Sequence, residues 1–177
     1  MKKSIWMVMI GLLTTALFVA CDNNDDNVQP KPTLDQYDIN FLNKATQQNR
    51  ATILLNTLAK DSGTNAGVKQ YAQDMITNYT SVQKSIDSIA NIYSLQLPTT
   101  GDSAVSLFKD NLMMMARGKS FDTSFVGYQM RLLDSYLPTW NDASANAKNT
   151  GVKNFATQLI PTWTSFRNRA DSLFGSL

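Results

Sequence analysis

A chain of 177 residues, 43% hydrophobic and 17% charged, has the size of one modest domain with a real core and a short additional segment. It contains no histidine and no glutamate, all fourteen acidic residues being aspartate; this excludes imidazole zinc sites, Ser-His-Asp and Cys-His nucleophile systems, and the Glu/His di-iron sites of helical bundles. The formal charge of +2 comes from Lys2 and Lys3, and beyond residue 20 the balance is 14 basic against 14 acidic. An evenly mixed chain has no basic stripe for phosphates, so nucleic acid is excluded as a partner.

Lys2 and Lys3 precede an apolar run from Ile5 to Val19, about fifteen residues long, which suits a signal h-region and is short for a membrane span. The run closes on Leu17-Phe18-Val19-Ala20-Cys21, with a small residue before the only cysteine. This resembles the lipobox of bacterial lipoproteins, although Phe18 stands where leucine is usual. The expectation is a signal peptide over residues 1–20 and lipidation of Cys21, whose acyl chains would anchor the protein in the membrane. The resemblance places the protein in the cell envelope, at the outer membrane, and leaves the facing leaflet open. With its one thiol lipidated, the domain forms no disulfide.

Residues 21–34 continue as Asp22-Asn23-Asn24-Asp25-Asp26 and a stretch with Pro30 and Pro32, a composition that buries no core and favours extended chain. It predicts a flexible acidic tether of roughly 40 Å reach. The aspartates after Cys21 also suit a lipoprotein sorting signal.

Residues 35–177 predict a helical bundle. The first segment carries Phe41, Ala45, Gln48, Thr52, Leu55 and Ala59, a stripe with two polar members. The second steps without interruption through Ala72, Met75, Tyr79, Val82, Ile86, Ile89 and Tyr93, as a packed helix does. A shorter helix is expected from Asp102 to Ala116, ending at Gly118. The next, capped at Ser120 or Asp122, presents Phe125, Gln129, Leu132, Tyr136 and Trp140, with a bend at Pro138. The last presents Val152, Ala156, Leu159, Trp163, Phe166, Ala170 and Leu173, with a kink at Pro161. No stretch alternates apolar and polar residues for long, so no sheet is expected. The fold class is all-α: four long helices in an up-and-down bundle with one extra short helix.

Little in these segments carries chemistry. No Gly-rich phosphate loop occurs. Asp74, Asp110 and Asp134 suit a solvated helix face better than an acid-base pair or a cation site. Met113, Met114 and Met115 point about 100° apart on a helix, so they do not converge on a copper ion and are expected to fill core. Asp87-Ser88-Ile89, Asp102-Ser103-Ala104 and Asp171-Ser172-Leu173 match a bacterial O-glycosylation acceptor tripeptide, a short pattern that arises often by chance.

Four stretches together resemble the domain-of-unknown-function family 4142: Asn40-Phe41-Leu42 with Leu58-Ala59, Val68-Lys69-Gln70-Tyr71-Ala72 with Met75-Ile76, Phe121-Asp122, and Phe155-Ala156 with Leu159-Ile160-Pro161. The resemblance spans about Asp38 to Leu173. It implies an exported protein, of a kind often described only as a predicted outer-membrane protein, with a bundle similar to ferritin-like folds. It also implies a glutamate and histidines in a pattern resembling a metal site. Placed by motif, these positions are Thr52, Asn78-Tyr79, Leu133 and Phe166. Every one is replaced, so the expectation is a packed centre with no metal and no cofactor.

Two functions follow as expectations. The first is a non-catalytic envelope lipoprotein whose bundle is a structural or interaction module, with the membrane as partner through its lipid and an envelope protein as a second partner. The second is a bundle that holds a small apolar or aromatic ligand between its helices, with Thr52, Tyr79, Gln129, Trp140, Trp163 and Phe166 as pocket residues and Gln48 among the orienting polar groups.

Overall fold

Each long helix opens on a side chain that satisfies its free amides or on backbone that lets it start. Asp35 accepts from the Tyr37 amide at 2.8 Å and starts α1 (Gln36–Ser62). Asn65 starts α2 (Ala66–Tyr93) and Asn149 starts α5 (Thr150–Ser176), each accepting from the two amides that follow its neighbour. Asp102 does the same for the short α3 (Ser103–Met113). In contrast, α4 (Lys119–Asn146) has no side-chain cap. It begins after Gly118 at φ +137°, a conformation that a side chain would strain. The computed structural model describes residues 33–177, so the expected signal peptide, Cys21 and the expected tether as far as residue 32 lie outside the described residues.

The expected four long helices and one short one are all present, and the described residues contain no strand. The seams are the buried faces: Ala72, Met75, Tyr79, Val82 and Ile86 on α2, and Val152, Ala156, Trp163, Phe166 and Ala170 on α5. Even the half-polar stripe of α1 is buried along its whole length. The helices α4 and α5 stay helical through Pro138 and Pro161, each losing one backbone hydrogen bond. Three local expectations are corrected. Neither Ser120 nor Asp122 is an N-cap, because both lie inside α4. Gly118 opens α4 and does not close α3, which stops at Met113. Met113 and Met114 are 54% and 85% exposed, so of that run only Leu112 is core, with Met115 packed at its edge.

Direction follows from two buried carboxylates. Asp38, in the first turn of α1, accepts from the Lys148 and Asn149 amides at 2.9 and 2.8 Å, so the start of α1 meets the start of α5. Asp122, in the first turn of α4, accepts from the Thr64 and Asn65 amides and from the Thr64 hydroxyl, so the start of α4 meets the start of α2. Thus α1 and α2 form one antiparallel hairpin, α4 and α5 another, and α1 lies antiparallel to α4. Short connections do imply antiparallel neighbours inside each hairpin. The segment from Ser94 to Gly118 instead carries the chain from one end of the bundle to the other. Midway it is pinned to α1: the Asp102 amide donates to the Gln47 carbonyl at 2.9 Å, and Gly101 lies so close to Ala51 that a Cβ would clash with the Ala51 methyl and crowd its backbone. Farther along, Phe108 stacks on Tyr128 of α4.

The two hairpins are copies in sequence as well. Asp38 and Asp122, Phe41 and Phe125, Ala59 and Ala143, Asn65 and Asn149, Gly67 and Gly151, Val68 and Val152, Ala72 and Ala156, and Ile76 and Ile160 are all pairs 84 positions apart. Reading helices one at a time hides this repeat; the paired carboxylate clamps expose it.

Candidate functional site at the bundle centre

All six residues expected to line a pocket are buried: Thr52 and Gln129 are 0% exposed, and Tyr79, Trp140, Trp163 and Phe166 are 5% or less. They come from all four long helices, most of them near the middle, with Trp140 in the last two turns of α4. Rings occupy much of the space. Tyr79 stacks on Trp163 with centroids 4.6 Å apart, and Trp163 meets Trp140 edge-on at 5.6 Å. Trp140 in turn meets Phe41 at 5.2 Å. Phe166 packs a turn farther along, against Tyr71 at 5.9 Å, so it does not share the group around Trp163.

Between the rings lies a polar layer. On one face of α1, Gln48, Asn49, Thr52 and Asn56 are buried, and Gln129 and Tyr136 answer from α4. Asn56 donates to the Thr52 carbonyl, and Asn49 donates weakly to the Tyr79 carbonyl at 3.5 Å. The remaining polar atoms are unpartnered: Gln48 Oε1, Asn49 Oδ1, Thr52 Oγ1, Asn56 Oδ1, both amide atoms of Gln129, the Tyr136 hydroxyl and Trp163 Nε1. Burial pushes the Tyr79 and Tyr136 pKa values well above the usual tyrosine value. Thr52 Oγ1 faces both hydroxyls closely enough to offset a little of that rise, but neither approach has full hydrogen-bond geometry. Tyr128 and Tyr136 line a crevice of about 160 Å³ beside the start of α3.

The positions that the resemblance gives to metal ligands hold Thr52, Tyr79, Leu133 and Phe166, all buried, and Asn78, which donates to the Asp74 carbonyl. A hydroxyl, a phenol, two hydrocarbon side chains and an amide facing its own helix are a poor donor set for iron, zinc or copper. Among the described residues, no three acidic or cysteine side chains gather where an ion would fit. The aspartates singled out in the sequence lie on outer faces: Asp74 pairs with Arg169, which holds its carboxyl below the usual range, Asp134 pairs with Arg167, and Asp110 pairs with Lys109. What sequence reasoning missed is the second pair of roles, Asp38 and Asp122 as clamps. Their signal was the repeat itself, an aspartate in each first turn 84 positions apart.

The sequence matches the family "Domain of unknown function (DUF4142)" over residues 23–173, most of its length. The chain belongs to this family. No curated protein matches the sequence. The fold of this DUF4142 domain is also similar to that in the crystal structure of a DUF305 fragment from Deinococcus radiodurans, with a TM-score of 0.74 at 11% identity, covering 82% of this chain and 100% of that one. At that identity the likeness concerns fold alone. It places the DUF4142 bundle among helical folds that hold their shape with almost unrelated side chains.

Proposed function

We propose that this DUF4142 protein is a non-catalytic lipoprotein of the bacterial cell envelope, anchored through Cys21 and carrying a helical module that engages an envelope protein. The observation that supports this most is the neutral, ring-packed centre: where a bundle enzyme gathers carboxylates and imidazoles, this chain has Thr52, Tyr79, Leu133 and Phe166. We therefore assign the function to the surface of a domain whose centre holds no carboxylate and no imidazole. The export signature and the tether supply the location.

The alternative, a small apolar or aromatic guest between the helices, draws support from the unpartnered polar atoms around Gln129 and Thr52. Against it weighs the stack of Tyr79, Trp163 and Trp140, which already occupies that place. An open groove of about 840 Å³ lies elsewhere, between the first turn of α2 and the second half of α5 at Tyr71, Asn168 and Arg169, and none of the six pocket residues lines it.

The test is to express the full chain and Cys21→Ser with an alkyne analogue of palmitate, then fractionate membranes. The anchored reading expects label and outer-membrane sedimentation that the variant loses. Equal sedimentation without label would overturn it. Stoichiometric transition metal in the purified protein would overturn the non-catalytic part.

A further inference from the structure

Eight buried polar atoms in the middle layer of the bundle have no protein partner, and a buried polar group left unsatisfied costs on the order of 1–3 kcal/mol. Four more such atoms, on Asn43, Arg50, Gln83 and Thr123, are not part of this set. Gln48, Asn49, Thr52 and Asn56 share one face of α1, spaced by three, four and seven. Gln129 and Tyr136 stand two turns apart on one line of the antiparallel α4. Thr52 faces both Tyr79 and Tyr136, and the Trp163 ring lies on Tyr79. The set mixes donors (the Gln129 amide nitrogen, the Trp163 N–H, two hydroxyls) with acceptors (the carbonyl oxygens of Gln48, Asn49, Asn56 and Gln129). It carries no formal charge.

We propose that this layer is a binding site for a small cluster of internal water molecules, held by Thr52, Gln129, Tyr136 and Trp163 and completed by the amide oxygens of α1. A neutral set of both donors and acceptors matches water, which gives and takes in equal number and commonly makes about three bonds to buried groups that lack other partners. A metal cation would leave the donors opposed, and an anion would oppose the carbonyl oxygens. An apolar guest would satisfy none of them. The crevice beside α3 is lined in part by Tyr136, whose hydroxyl is itself buried, so exchange with solvent would need local opening there. The water cluster then acts as a hub that ties α1 to α4 and α5, where the hydrocarbon packing of the two hairpins is interrupted. The inference is independent of the lipid anchor.

The decisive experiment is a crystal structure of residues 31–177 at a resolution that shows ordered water, together with thermal denaturation of Gln129→Leu and of the milder Thr52→Val. The expected result is water bonded to at least two of Thr52, Gln129, Tyr136 and Trp163. Both substitutions should then lower the midpoint by several degrees, because each removes an anchor and strands the remaining groups. Gln129→Leu raising the midpoint would mean that the layer is dry, and would overturn the proposal. So would density for an alkali cation with a potassium- or sodium-dependent midpoint, or for an organic guest in place of water. If Gln129→Leu fails to fold, the wild-type electron density and Thr52→Val decide the matter.

Discussion

The first hairpin and the second share a chassis and differ at the centre. Both begin with a buried aspartate that clamps the helix N-terminus of the other hairpin, and both turn on an asparagine cap followed by glycine and valine. In the middle the copies part. Where α1 has Gln48, Asn49, Thr52 and Asn56, the equivalent positions of α4 hold Leu132, Leu133, Tyr136 and Trp140. Where α2 has Tyr79 and Val82, α5 has Trp163 and Phe166. The second hairpin carries large rings where the first carries small polar groups, so the volume across the interface is shared unequally. The difference teaches that the ends of the bundle are under geometric constraint, since helix starts must be capped, while the centre needs only a complementary total volume.

The largest effect that would break this comparison is expected from the rings. Trp163→Ala should cost about 3–5 kcal/mol by denaturant unfolding, because it removes the surface that both Tyr79 and Trp140 pack against. Its repeat partner, Tyr79→Ala, should cost less, having one ring contact in place of two. Equal losses would mean that the two hairpins share the centre evenly after all.

The clamps come next. Asp122 accepts from two backbone amides and a hydroxyl, whereas Asp38 accepts from two amides. Each truncation strands backbone N–H groups, so Asp122→Ala should cost roughly 2–3 kcal/mol and Asp38→Ala somewhat less. Urea midpoints of the two variants measure the order; if Asp38→Ala proved the worse, the second clamp would not be the stronger one.

Alkaline pH should act on both hairpins together. Burial raises the pKa of Tyr71, Tyr79 and Tyr136 above the unfolded value, and burial with the adjacent Asp142 pushes Tyr37 up to about 12. A raised folded pKa means that the unfolded chain loses its protons first. Stability is therefore complete below about pH 10 and falls progressively above it. Tyr136→Phe should flatten that fall. A midpoint that stayed level from pH 9 to pH 11.5 would contradict the burial assigned to these phenols.

The smallest effect is expected at the ion pair that links the hairpins outside the core. Arg169 meets Asp74 at 2.7 Å and lies over Tyr71 and Phe166, but both charges are substantially exposed. Arg169→Ala should cost under about 1 kcal/mol, less at high salt. The Asp74 carboxyl is held low by Arg169, so the pair's contribution is present above the ordinary carboxylate pKa and is lost as pH falls through the folded value. A loss of several kcal/mol would show that this contact, and not the centre, joins the halves.

The sequence alone determined the element inventory, because an apolar residue every third or fourth position has only one way to be buried. It determined which side chains face inward, Thr52 and Gln129 among them, and it ruled out whole chemistries by lacking histidine and glutamate. It also misjudged details that neighbours decide. Asp122 reads as a cap for its own helix, yet it serves another helix across the interface. Met113 and Met114 read as core, yet α3 buries only the face carrying Val105 and Leu112. The crossing of α3 over the bundle, the pairing of the two hairpins and the gathering of unpartnered polar atoms were decided by the tertiary structure. The physical reason is range: periodicity and capping act within a few residues, whereas direction and pairing depend on distant groups, 58 positions apart for Asp122 and Thr64 and 110 for Asp38 and Lys148.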